Sequence, residues 1–181
     1  MRSILPHEEN PALREIAKPI PLSDIKSARI KSLVKDMKTL LAKEEFGVAL
    51  AAPQVGERVR LFIVSGRALA RDSRDTPDGP SAEKEDVPPL PDQIYINPEL
   101  MKISRVKKNK HEGCLSIRGK WGEVPRAEKA AIRAYDEHGE RFTRGASGFL
   151  AHIFQHEMDH LEGVLYTDKA VTLYDESEDA A

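Results

Sequence analysis

The sequence predicts an α+β domain in which antiparallel sheets pack around a central C-terminal helix. Three observations support this. Short β-rich runs are punctuated by a hairpin signal, one late helix is apolar nearly all round, and 181 residues suffice for a single core but not for two.

The elements follow in chain order. "IKSARIKSLVKDMKTLLAKEEFG" reads as an amphipathic helix, with Ile30, Leu33, Val34, Met37, Leu40 and Leu41 on one face and lysines opposite. Ser23 or Asp24 can cap its start, and Gly47 lies just beyond its end. "VRLFIV" (Val59 to Val64) and "QIYINPEL" (Gln93 to Leu100) are rich in β-branched and aromatic residues and read as strands. "AAIRAYDEHGERFT" reads as a hairpin turning near His138 and Gly139. Between them, residues 66–92 are charged and carry five prolines, the composition of a long mobile surface insertion in a single domain spanning 1–181. The acidic end, 174–181, is expected to be frayed. Ser147 can cap a last helix through "GFLAHIFQHEMDHL", which stops at Gly163.

Composition narrows the function classes. A formal net charge of -2 makes no broad electrostatic case for a specific nucleic-acid partner or an anionic membrane. No apolar run approaches the roughly 20 residues of a membrane helix, and the first residues lack a signal-peptide core. The expected location is therefore cytoplasmic. The single cysteine, Cys114, excludes an internal disulfide.

The last helix carries the chemistry. Its apolar residues imply burial, yet it also holds His152, His156, Glu157, Asp159 and His160, which cost free energy to bury unless something satisfies them. His156 and His160 are one turn apart on the same face and can reach one ion. Glu157 is about 100° further round, beside that ion, where it can accept a proton from water. This is the H-E-x-x-H pattern of metallohydrolases.

Two histidines leave the third ligand open. His152 is eight residues from His160, about 12 Å along a helix, too far for both to bind one ion. Downstream, Tyr166 occupies the position where one metallopeptidase pattern has a third histidine, and Glu176 and Glu178 sit in the acidic tail. Upstream, "HEGCLS" offers Cys114, whose thiolate suits a borderline-soft divalent ion. One cysteine and two histidines leave a fourth position open, as in a catalytic site. Gly113 would allow a tight turn beside the ion.

"GVALAAPQVG", then "EGCLS", then "QHEMDH" in that order resembles the peptide deformylase family, as do "INPEL" and "VPRAEK", so the resemblance spans nearly the whole chain. It implies removal of the formyl group from N-terminal formylmethionine, with formate as product. The ligands would be Cys114, His156 and His160, holding one divalent ion: Fe2+ by family habit, with Zn2+, Ni2+ or Co2+ able to replace it. Glu157 would be the general acid and base. Gln54 and the amide of Leu115 would hold the oxyanion. Backbone from Gly47 through Val48 and Ala49 to Leu50 would pair with the peptide as an added strand, and Gly113 and Trp121 would complete its binding site. The implied partners are a formylmethionyl peptide and, transiently, the ribosome. Two positions depart from the family pattern: Ala49 stands where a second glycine is usual, and Trp121 where bacterial members often carry an arginine. Both bear on substrate binding. They motivate an alternative reading, a divergent relative that binds metal but deformylates weakly.

Overall fold

A computed structural model describes residues 2–74 and 90–175. Two antiparallel sheets form. The first joins β1 (Ala49–Ala51), β2 (Leu61–Val64), β3 (Gln93–Ile103), β6 (Lys129–Tyr135) and β7 (Arg141–Ser147) in the order β1-β2-β3-β6-β7. The second joins β4 (Lys107–Cys114), β5 (Ile117–Ala127) and β8 (Thr172–Asp175) in that order. Helix α1 (Ala28–Lys43) covers the first sheet on one side, while α3 (Gly148–Leu161) packs against β1, β6 and β7 and also meets β5. The expected α+β arrangement around a central helix is what forms.

The core divides along these layers. One apolar cluster surrounds α3, where Leu150, Phe154 and Leu161 meet Phe62, Tyr95 and Ile132. The rings of Phe62 and Tyr95 stack with centroids 4.6 Å apart. A second cluster sits under α1, where Ile30, Leu33, Met37 and Leu41 meet Leu61, Ile63 and Ile96. In β2 all four residues are buried, alternately feeding the two clusters. A strand with a core on each face must be apolar throughout, which is why "LFIV" shows no alternation.

Several boundaries shift from the sequence expectation. The cap of α1 is Ser27, whose hydroxyl accepts from the Ile30 N–H at 3.3 Å. Ser23 and Asp24 instead lie in a short 3-10 turn ahead of the helix. Ser147 does precede α3 but makes no side-chain cap bond. The hairpin forms as read: Asp136 accepts from the N–H groups of His138 and Glu140, both at 2.8 Å, and Gly139 takes a positive φ. The expected mobile insertion at 66–92 opens differently, because Gly66–Arg74 form α2, with Ala68 and Leu69 buried in the cluster around α3. The rest of that expectation, over 75–89, lies outside the described residues. The expected frayed tail begins inside β8, where Tyr174 and Asp175 pair with Trp121 and Lys120. Residues 176–181 lie outside the described residues. Among the described residues no helix is long and apolar enough to cross a membrane.

Candidate active site

Three elements converge on a cleft of about 930 Å³. Helix α3 forms its floor, β1 one edge, and the β4–β5 hairpin the opposite wall. Cys114, His156 and His160 each offer a ligand atom, and these atoms all lie within 4.8 Å of one another. The Cys114 Sγ is 3.4 Å from Nε2 of His160. The two imidazoles stand nearly perpendicular, with centroids 4.9 Å apart. His152 is not among them; it turns to a different partner.

That partner is Glu112, which the sequence reading passed over. Its carboxylate is buried and accepts four hydrogen bonds. Nε and Nη2 of Arg126 donate at 2.5 and 3.0 Å, Nδ1 of His156 at 2.7 Å and Nε2 of His152 at 2.8 Å. Arg126 also reaches Asp159 at 2.7 Å, and Lys169 closes the chain on the other Asp159 oxygen at 2.6 Å. Burial alone would raise the Glu112 carboxyl, but Arg126 and the two imidazoles hold it well below the usual carboxylate range. The consequence for His156 is geometric. With Nδ1 committed to Glu112, Nε2 is left for an ion.

The helix is tied down elsewhere too. Gln155 accepts from the Ala127 N–H and donates to the Ala127 carbonyl, both at 2.9 Å, and so clamps α3 to the end of β5. Tyr166, considered above only as a missing ligand, is buried. Its ring stacks on His156 and its hydroxyl donates to the Lys120 carbonyl at 2.9 Å.

The donor set fits a divalent cation. One thiol and two imidazoles are the ligands a borderline-soft ion prefers. Burial opposes charge on His156, yet Cys114, Glu112 and Glu157 hold its pKa well above the ordinary value. The spot between them therefore favours positive charge. Burial pushes His160 the other way, well below its ordinary value, so it is a neutral imidazole ready to coordinate.

Glu157 lies beside these ligands, 3% exposed, and its Oε2 has no hydrogen-bond partner among the described residues. A buried acceptor left unpaired is uncommon and marks a place where something else binds. Burial, with Glu112 adding to it, pushes the carboxyl up to about 7. A base with a pKa near neutrality can both take and return a proton.

Gln54 is 2% exposed and is oriented by its own turn. Its Oε1 accepts from the Ala51 N–H at 2.8 Å, so its NH₂ faces the site, 3.4 Å from the Cys114 Sγ and 3.5 Å from the Ser116 hydroxyl. Leu115 follows Cys114 in the β4–β5 turn and lines the cleft.

Of the four residues expected to hold a peptide, Gly47, Val48 and Ala49 line the cleft. The side chain of Leu50 is fully buried in the cluster under α1. β1 is an edge strand, bonded to β2 alone. The Val48 carbonyl already accepts from the Ser65 N–H at 2.9 Å, and Leu50 pairs with Ile63. Because peptide groups alternate along a strand, the N–H and C=O of Ala49 face the open edge.

The opposite wall is irregular. The ladder runs regularly to Glu112↔Gly122, then resumes at Cys114↔Ile117, leaving residues 118–121 opposite the single Gly113 and unpaired with β4, although Lys120 and Trp121 pair with β8 on their other side. Gly113 has no positive φ, contrary to the tight turn expected of it. Its lack of a side chain serves packing instead: a Cβ there would lie 3.0 Å from a ring carbon of Trp121. Trp121 lines the cleft as expected, 38% exposed.

Known proteins resemble this chain in sequence and in fold. A family model described as polypeptide deformylase matches residues 1–176. The peptide deformylase of Symbiobacterium thermophilum is 42% identical over 92% of this chain and 66% of its own length. Peptide deformylase 1 of Clostridium perfringens is 41% identical over 77% of this chain and 80% of its own. Among solved structures, a peptide deformylase from Synechococcus elongatus in complex with actinonin superimposes with a TM-score of 0.73 at 30% identity, over 93% of this chain and 78% of that one.

Proposed function

The chain belongs to the polypeptide deformylase family, and on that premise we propose that it hydrolyses the N-formyl group from the formylmethionine of nascent polypeptides, releasing formate. The observation that carries this is one group of atoms: the convergent Cys114, His156 and His160 beside the buried Glu157, whose Oε2 has no hydrogen-bond partner among the described residues. A divalent ion on those three ligands, Fe2+ by family habit with Zn2+, Ni2+ or Co2+ as substitutes, would polarise the formyl carbonyl and make water more acidic.

The chain's own groups do the rest. Ala49 offers its free N–H and C=O to the peptide, which adds as a strand to the edge of β1, with Gly47 and Val48 beside it. Backbone pairing of this kind tolerates varied residues after the methionine. Trp121, laid over Gly113, forms the facing wall. Glu157 takes the proton from the attacking water and later delivers it to the leaving amine. As the carbonyl carbon becomes tetrahedral, Nε2 of Gln54 and the N–H of Leu115 donate to its oxygen. Such donors act most strongly when held in place beforehand, and the Ala51 N–H does this for Gln54. A nascent-chain substrate places the enzyme in the cytoplasm, in transient contact with ribosomes.

The test is formate release from formyl-Met-Ala-Ser by protein purified anaerobically with iron or nickel, the ion being identified by elemental analysis. Fully metal-loaded protein that releases no formate would refute the proposal.

A further inference from the structure

Among the described residues, 2–20 supply no ligand, no base and no wall of the cleft. They nonetheless bond to all three segments that do. The Leu5 N–H donates to the Gln54 carbonyl at 2.9 Å, the His7 N–H to the Ser116 carbonyl at 3.0 Å, and the Ala17 N–H to the Leu161 carbonyl at 2.9 Å. Asn10 adds a side chain to this set. It is 2% exposed; its Nδ2 donates to the Pro53 carbonyl at 2.7 Å and its Oδ1 accepts from the Ala12 N–H at 3.2 Å.

The two groups assigned to the oxyanion, Gln54 and the Leu115 amide, lie on segments far apart in sequence. Their direct contacts are long: Gln54 reaches Cys114 and Ser116 only at 3.4 and 3.5 Å. Shorter bonds hold the N-terminal segment to the backbone of both loops. Oxyanion donors lose their effect when displaced by a fraction of an ångström to an ångström, so whatever sets their spacing enters the rate.

We infer that Asn10 is a positioning residue for deformylation: through Pro53, and with Leu5 and His7 alongside, it fixes the Gln54 loop relative to the turn that carries Leu115. This rests on the reading of Gln54 and the Leu115 amide as oxyanion donors. Asn10 touches no reacting atom. Its effect falls on the transition state and leaves metal and substrate binding intact.

The experiment is a double-mutant cycle in the full-length, metal-loaded enzyme. Asn10→Asp keeps the acceptor for Ala12 and removes the donor to Pro53. Asn10→Ser keeps a capping oxygen and serves if the aspartate prevents folding. Each is made alone and with Gln54→Ala, and kcat, KM for formyl-Met-Ala-Ser and metal content are measured. The expected result is a fall in kcat of about tenfold at unchanged KM and metal content. In the Gln54→Ala background the same substitution costs less than about twofold, because the group it positions is already gone. Unchanged kcat in the single variant, or an equal loss in both backgrounds, overturns the inference and leaves Asn10 a general stabiliser. A Gln54→Ala variant that keeps full kcat removes the premise, and the inference with it, separately from anything Asn10 does.

Discussion

The two sides of the cleft are built in opposite ways. On the α3 side the charged groups are buried and densely bonded: Glu112 accepts four hydrogen bonds, Arg126 spans two carboxylates, and Gln155 clamps the helix to β5. Across the cleft, among the described residues no second strand pairs with the open edge of β1, residues 118–121 leave the β4 ladder although Lys120 and Trp121 pair with β8, and Trp121 is 38% exposed. The difference bears on Ala49 and Trp121, the two positions at which the sequence was expected to depart from the pattern it resembles. A fully satisfied buried network leaves no member free to change alone, since removing one strands the others without partners. An open edge that would pair with a peptide through its backbone imposes far less on the side chains around it. Ala49 and Trp121 both lie on that permissive side.

This contrast can be broken in order of expected effect. Glu157→Ala should lower kcat by about 10²- to 10⁴-fold with the ion retained, because the carboxylate is beside the ligands and not among them; full activity in that variant would end its role as base. Arg126→Met should cost about 3–5 kcal/mol, or roughly 10 °C in Tm, by leaving the buried Glu112 without its guanidinium and the half-buried Asp159 with Lys169 alone. Metal affinity should fall with it, by about 10- to 100-fold, as His156 loses its fixed orientation. Thermal melts and metal titration read the two effects, and a neutral outcome would mean the network is ornamental. Trp121→Ala should raise KM by up to about tenfold with kcat little changed, the pattern of lost ground-state binding. Ala49→Gly should move kcat/KM by less than about threefold, since the backbone groups remain; a gain of about tenfold or more would show that the methyl group crowds the substrate and would favour the weakly active alternative.

How much of this could be read beforehand depended on the range of the interactions involved. The α3 site was legible because its signal is local: an apolar helix with His156, Glu157 and His160 within five residues. Cys114 followed from ligand chemistry. Glu112 and Arg126 were not read, although both sit inside quoted motifs, because in a linear reading a charged residue in a polar stretch belongs to solvent. One signal could have found Arg126: Gly122, Val124 and Arg126 alternate along β5 and all three are buried. β4 escaped notice because "KKNKHEGC" is polar along nearly its whole length and half of it is exposed. Asn10 drew no reading from the sequence; it caps a turn through Ala12, and its second bond runs to a loop 43 positions away.

By itself the sequence determined the fold class, the helix that carries two of the three clustered ligands, the acidic residue beside them and the order of the motifs. Each rests on periodicity, spacing within one turn, or the intrinsic chemistry of a side chain, none of which needs a distant partner. Only the tertiary structure decided that Glu112 orients His156, that Gly113 makes room for an indole, that Ala49 faces an open strand edge, and that the N-terminal segment bonds to both loops assigned to the oxyanion. Those are pairings between segments remote in the chain. Burying a polar group becomes tolerable only when a partner arrives from elsewhere in the fold.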